Sequence, residues 1–169
     1  REFNEWDNNT LIIPSTSSER REYIPMGFAD TNTVITNSNY SVSNATLTLF
    51  GIVTSKMQMI WMKAIGGRLK SDYRYTSLVY NTFPFPEISE EKKQEIEEAA
   101  EEVLCVRAEH SEKTLAEMYD PDKMPADLRA AHHTLDLIVE SCYRKEPFTS
   151  DEERLEHLFK LYEKMTQKS

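Results

Sequence analysis

The tetrapeptide Phe83-Pro84-Phe85-Pro86 divides the chain. Neither proline donates a backbone hydrogen bond, and each holds the residue before it extended, so no helix and no inner strand runs through such a segment. Upstream, Thr, Ser, Asn, aromatic and β-branched residues dominate. Downstream, nearly every stretch carries apolar residues at helical spacing. The pattern predicts an α+β fold, with a small mixed α/β domain over residues 1–86 and an all-helical segment over 87–169.

Within the first part, Leu11-Ile12-Ile13-Pro14 reads as a short strand between polar loops. Leu47 and Leu49 alternate with Thr46 and Thr48, which predicts a half-buried strand. From Val53 the period changes: Met57, Ile60, Trp61, Ala64 and Ile65 fall at helical spacing, and Gly66-Gly67 supplies the stop. Met59 and Met62 lie off that face, as on a helix buried over much of its circumference. Between Tyr73 and Phe83 the alternation of aromatic and polar residues predicts a return to strand. In the second part, Ser89 caps a long helix with an apolar stripe at Ile96, Ala99, Ala100, Val103 and Val106. Ser111 is placed to cap a shorter one. Pro125 stands at the first turn of a third, and Thr149 or Ser150 opens a fourth.

The net charge of -9 conceals an asymmetry. Residues 1–86 hold eight Lys/Arg against seven Asp/Glu, whereas residues 87–169 hold twelve against twenty-two. Within the near-neutral half, Lys56, Lys63, Arg68, Lys70 and Arg74 face Asp72 alone. The overall acidity argues against a nucleic-acid partner, and this local balance reopens the question. No apolar run reaches the roughly 18 residues of a membrane span. Cys105 and Cys142 both fall in helical sequence, as in a reduced cytoplasmic protein rather than a disulfide scaffold. Beginning with Arg1 rather than Met, the chain reads as a fragment of a longer protein.

Catalytic and cofactor motifs are missing. Four glycines cannot build a phosphate-cradling loop or a dinucleotide fingerprint. His132 and His133 are adjacent on a helix, about a hundred degrees apart around its axis, and cannot grip one metal from one face. They read as a pair without a functional role. No nucleophile–base set can be assembled, so neither a catalytic residue nor a cofactor is expected in this chain. The basic, aromatic stretch from Gly66 to Pro86 is different. Arg68, Lys70 and Arg74 suit phosphates, and arginine also pairs with guanine; the neighbouring tyrosines supply stacking faces. On the residues alone, a nucleic-acid contact and a protein-docking surface both remain open.

Three blocks break the tie: "SERREYIPMGF" from Ser18, "LFGIVTSKMQMIWMKAIGGRLKSDYRYTSLVYNTFPFP" from Leu49, and "LAEMYDPDKMPADLRAAHHTLDLIVESCY" from Leu115. Together they resemble the C-terminal portion of the MmeI-like, type IIL restriction–modification enzymes and related adenine-specific DNA methyltransferases. The resemblance runs from about residue 15 to 145. In that family an upstream core binds S-adenosylmethionine and methylates adenine through an "NPPY"-type motif; this sequence contains none, and "FPFP" is no equivalent. The resemblance therefore implies a non-catalytic target-recognition domain over residues 1–86, followed by a helical segment over 87–169 that packs against it or against the methyltransferase core. Double-stranded DNA and that core are the implied partners, with no membrane.

The resemblance places DNA contacts at Arg68, Lys70, Ser71, Tyr73, Arg74 and Tyr75, with a second group at Arg20, Arg21 and Tyr23. Arg68, Lys70 and Arg74 would hold phosphates and set affinity more than sequence preference. Asn32, Thr33, Asn37, Asn39 and Asn44 are candidates for base edges, since asparagine pairs bidentately with adenine. The alternative, a module that docks a protein partner through its basic-aromatic stretch, predicts no response to DNA.

Overall fold

A computed structural model describes residues 9–29 and 39–167. Its order is β1 (Asn9–Pro14), β2 (Thr16–Ser17), β3 (Gly27–Ala29), β4 (Asn39–Ala45), α1 (Leu47–Val53), α2 (Lys56–Ile65), β5 (Arg68–Leu69), β6 (Asp72–Arg74), α3 (Ser77–Thr82), α4 (Glu90–Glu109), α5 (Leu115–Met118), α6 (Ala126–Ser141) and α7 (Asp151–Gln167). Two antiparallel three-stranded sheets form, in the orders β3-β1-β4 and β2-β6-β5. Seven helices surround them among the described residues, so the fold is α+β with a helical C-terminal part.

The expected strand at Leu11–Pro14 is the centre of the first sheet. Leu11 and Ile13 are buried and Ile12 is half-buried, the period-2 signature of a strand. Two other strand expectations fail. Leu47 and Leu49 lie in α1, whose N-cap Thr46 accepts the Leu49 amide at 3.1 Å. Burial of Leu47, Phe50, Ile52 and Val53 outweighs the weak alternation over four residues. The strand that begins at Asp72 ends at Arg74, and Thr76 then starts α3, which buries Val79. The long helix begins after Ser89 as expected, with Ser89 Oγ accepting the Lys92 amide. The short helix is capped by Thr114 rather than Ser111, because Thr114 and Glu117 complete a reciprocal capping box. Pro125 sits at the N-cap of α6, one position before the first turn.

Composition changes at Pro86, but the hydrophobic core does not stop there. One buried cluster runs from Leu11 to Leu158. Helix α1 lies so close to α4 that a Cβ on Gly51 would stand 2.6 Å from Ile96 Cγ2. Trp61 of α2 is buried against Phe159 and Tyr162 of α7, with ring centroids 5.1 and 5.7 Å away, and its indole N–H donates to Thr82 Oγ1. Phe83 packs edge-on to both Trp61 and Phe85, and the Tyr143 hydroxyl donates to the Pro84 carbonyl. The "FPFP" segment is thus a pinned crossing between two halves of one core.

A polar seam also joins the halves. Arg129, His132, His133 and Asp136 fall at i, i+3, i+4 and i+7 on α6, one stripe of the helix. Each touches the first half directly. The Tyr23 hydroxyl donates to Asp136 Oδ2 at 2.5 Å, and the Lys56 amide at the start of α2 donates to Oδ1 at 2.8 Å. The Tyr23 ring stacks on His132 with centroids 4.2 Å apart. Glu22 accepts Arg129 Nε on one oxygen and faces His133 Nε2 with the other, at 3.0 and 2.9 Å. Tyr23, expected at the DNA surface, is therefore wholly buried, because its ring and hydroxyl fill this seam. His132, read as part of a pair without a role, is buried as well, and Tyr119 bonds its Nε2 at 2.7 Å.

Burial, aided by the positive charge of Arg107, depresses the His132 pKa from 6.5 to about 3. Burial also pushes Asp136 up from 3.8 to about 6, against the hydrogen bonds from Tyr23 and Lys56 that favour its charged form. The signs oppose each other. A depressed histidine contributes stability above pH 6.5 that is lost as pH falls toward about 3, whereas a raised carboxyl contributes stability below pH 3.8 that is lost as pH rises through about 6. Urea midpoints at several pH values separate them. The deficit of His132→Gln against wild type should shrink between pH 6.5 and 4, and that of Asp136→Asn should grow. Gly51→Ala tests the α1–α4 contact. Helix propensity favours alanine by roughly 0.5–1 kcal/mol, yet the contact with Ile96 should make the substitution destabilising by about 1–3 kcal/mol in thermal melts.

Candidate nucleic-acid interface

The basic stretch folds as a hairpin because its glycines permit it. A Cβ on Gly66 would lie 2.2 Å from the Arg74 carbonyl oxygen, so only glycine lets the end of α2 meet β6. Gly67 follows at φ +74 and turns the chain into β5. Strands β5 and β6 pair Arg68 with Tyr73 and Leu69 with Asp72, leaving Lys70-Ser71 as a two-residue tip. Lys70 holds φ +58, a left-handed conformation that costs a non-glycine residue roughly 1–2 kcal/mol.

The hairpin's cations are not equivalent. Arg68 is engaged: Nη2 donates to the Tyr73 hydroxyl at 2.6 Å, the guanidinium lies 4.4 Å from that ring's centroid, and Nη1 pairs with Glu19 at 3.2 Å. Lys63 approaches the same ring at 5.5 Å. Lys70 and Arg74 are exposed, and neither side chain has an ion-pair partner among the described residues. Ser71 is exposed beside them at the tip. Tyr73 is half-buried beneath Arg68 and braces the hairpin.

Strand β2 pairs with β6, Thr16 opposite Arg74 and Ser17 opposite Tyr73. This pairing brings the turn from Ser18 to Arg21 beside the hairpin, although some fifty residues separate them in the chain. The turn closes through the Arg21 amide to the Ser18 carbonyl, and the Arg20 amide donates to Ser18 Oγ. The Arg20 guanidinium pairs with Asp122 at 2.8 Å, both groups being exposed, so the pair adds little stability. Arg21 has no side-chain partner among the described residues.

Of the nine residues expected at this surface, the sheet therefore gathers Arg20, Arg21, Arg68, Lys70, Ser71, Tyr73 and Arg74. Tyr75, like Tyr23, does not belong there. It is 2% exposed, its amide donates to the Ser15 carbonyl, and its ring packs 5.6 Å from Tyr40. The family resemblance placed it at the DNA surface, but the ladder ends at Arg74 and the next residue turns into the core. Among the base-edge candidates, Asn32, Thr33 and Asn37 lie outside the described residues. Asn39 and Asn44 stand at opposite ends of β4, about 16 Å apart along a strand, so they do not form one cluster. Reading the sequence counted Lys63 among the local cations without placing it against Tyr73 of the hairpin, and it missed the α6 stripe behind the turn. The second was visible as polar residues at helical spacing, where an amphipathic helix should have been apolar. No group of three or more His, Cys, Asp or Glu side chains arranged to hold a metal occurs among the described residues. No helix there is long and apolar enough to cross a membrane.

Known proteins resemble the chain in sequence and in fold. The chain is 52% identical over 169 residues to DNA methyltransferase A of Bacillus subtilis (strain 168), covering 99% of this chain and 19% of that protein. It superimposes on type IIL restriction-modification enzyme MmeI, solved in complex with DNA, with a TM-score of 0.91 and 43% identity over 95% of this chain and 22% of MmeI. The chain thus spans about a fifth of the length of these relatives. Residues 1–87 match the family model of the MmeI target recognition domain, and residues 88–168 match that of the MmeI C-terminal domain. The chain belongs to the MmeI family, as its target recognition domain joined to its C-terminal domain.

Proposed function

We propose that this chain is the DNA-recognition part of a longer, cytoplasmic DNA methyltransferase of the type IIL restriction–modification kind. The observation that carries the reading is the gathering, on one small sheet and the turn beside it, of Lys70, Arg74 and Arg21, three cations without side-chain partners among the described residues. A two-stranded ribbon fits the major groove of DNA, and side chains at its tip reach base edges while flanking cations meet phosphates. Lys70 at the tip and Arg74 at the end of β6 are placed for the phosphates, with Ser71 exposed beside Lys70 at the tip. Arg68, tied to Tyr73 and Glu19, stiffens the ribbon that carries them. The remainder of the longer protein supplies S-adenosylmethionine binding and methyl transfer. The C-terminal helices form the scaffold on which the recognition surface is built.

Fluorescence anisotropy with a randomised duplex pool between about 50 and 200 mM salt tests this. Three or four phosphate contacts give a log–log salt slope of about -3 to -4. Lys70→Ala and Arg74→Ala should each weaken binding about tenfold, and together they should flatten the slope by about two. An unaltered slope in the double variant would remove these residues from the interface. Salt-insensitive absence of binding by the folded chain, alone and within the longer protein, would favour a protein-docking surface instead.

A further inference from the structure

The turn that carries Arg21 is fastened on both sides of that residue: Glu19 pairs with Arg68 of the hairpin, and the side chains of residues 20, 22 and 23 all reach the helical half. Arg20 reaches Asp122. Glu22 is held at both carboxylate oxygens, by Arg129 Nε and by His133 Nε2. Tyr23 is stacked on His132 and donates to Asp136. The Glu22 carboxyl is pushed up by burial, yet the bonds from His133 and Arg129 outweigh this and hold it below the usual carboxylate range. Between these anchored neighbours, Arg21 alone keeps an unpartnered side chain among the described residues. Four side chains of α6 at i, i+3, i+4 and i+7 are spent on residues 22 and 23, more than simple coverage of the core requires. His132 and Asp136 are buried where an apolar residue would fill the space at lower desolvation cost, while Arg129 and His133 stay partly exposed.

We propose that the α6 stripe is a positioning device for DNA recognition. Glu22, gripped by Arg129 and His133, fixes the backbone of the turn so that Arg21 stands beside the hairpin cations and meets the duplex. Glu22 is the informative member because its charge has the wrong sign for a phosphate contact and both its carboxylate oxygens are already engaged. Removing a carboxylate beside a DNA-binding surface should, by electrostatics alone, strengthen binding to phosphates. A positioning role predicts the reverse. The inference rests on the DNA-recognition reading above, and the experiment separates the two.

The measurement is a double-mutant cycle of Glu22→Gln and Arg21→Ala, made in the longer methyltransferase and read by duplex affinity at fixed low salt. Arg21→Ala should weaken binding about tenfold. Glu22→Gln should weaken it about fivefold in the wild-type background and change it less than about twofold once Arg21 is gone. The partly exposed His133→Ala gives the same pattern at smaller amplitude and replaces Glu22→Gln if that variant does not fold. Unchanged or increased affinity in Glu22→Gln overturns the proposal, and so does an equal loss with and without Arg21, which would mark a general loss of stability. Failure of the wild-type protein to bind DNA at all would instead overturn the recognition reading, and this inference with it.

Discussion

A single buried carboxylate sets the relation between the two halves. Asp136 takes the Tyr23 hydroxyl on one oxygen and the Lys56 amide on the other, so α6 grips both the loop after the second strand and the start of α2. These are the two segments that deliver the proposed recognition surface. The loop leads from Arg21, and α2 leads through Gly66 into the hairpin. A carboxylate at 4% exposure is costly to desolvate unless its oxygens are hydrogen-bonded, and here both are. The same economy explains why breaking one partner would be worse than never having buried the group. The helical part is thus built into the recognition part rather than attached to it.

The charge asymmetry has a similar logic. The second half carries the acidity of the chain, yet several of its acids are turned inward and engaged. Asp136 holds Tyr23, Glu140 is 6% exposed and bonds Arg154 at 2.9 Å, and Glu153 pairs with Arg144. In the first half, Glu19 and Glu22 are occupied by Arg68 and by Arg129 with His133. Among the described residues, Lys70, Arg74 and the neighbouring Arg21 have no side-chain partner and outnumber Asp72, so the balance left on the small sheet and its turn is positive. Fields from exposed acids elsewhere are screened within about 10 Å at 0.1 M salt. A chain of net charge -9 can therefore present a locally cationic face to a polyanion.

The sequence made the broad architecture legible because its signals were long or chemically unambiguous. The Ser89 cap, twenty residues of helical periodicity and the double proline all report local physics. The strands misread at Leu47–Leu49 and after Arg74 had only short alternations, which a helix buried on one side can mimic. At the site, the cationic positions were legible because charge density survives folding. The two tyrosines were not. Tyr23 and Tyr75 share composition with Tyr73, and only the ladder's end at Arg74 and the polar stripe on α6 decide which rings turn inward. The strand pairing that joins residues 16–17 to 73–74 is non-local, and nothing in either segment announces the other.

The hairpin shows how little of such a surface needs to be rigid for it to be well placed. Its root is constrained by close approach: Gly66 sits against the Arg74 carbonyl, the Arg74 amide donates back to Gly67, and Tyr75 is sealed beneath Tyr40. Its middle is braced by Arg68 lying over Tyr73. At the tip the side chains have no partner among the described residues, and there a lysine rather than glycine occupies a left-handed position. Glycine would remove the backbone cost and with it an exposed cation at the tip. A fixed root with a free, charged tip suits a reader whose contacts must change with the sequence it meets. Substitutions at the tip alter what is touched, while those at Gly66 or Tyr75 alter whether the ribbon stands at all.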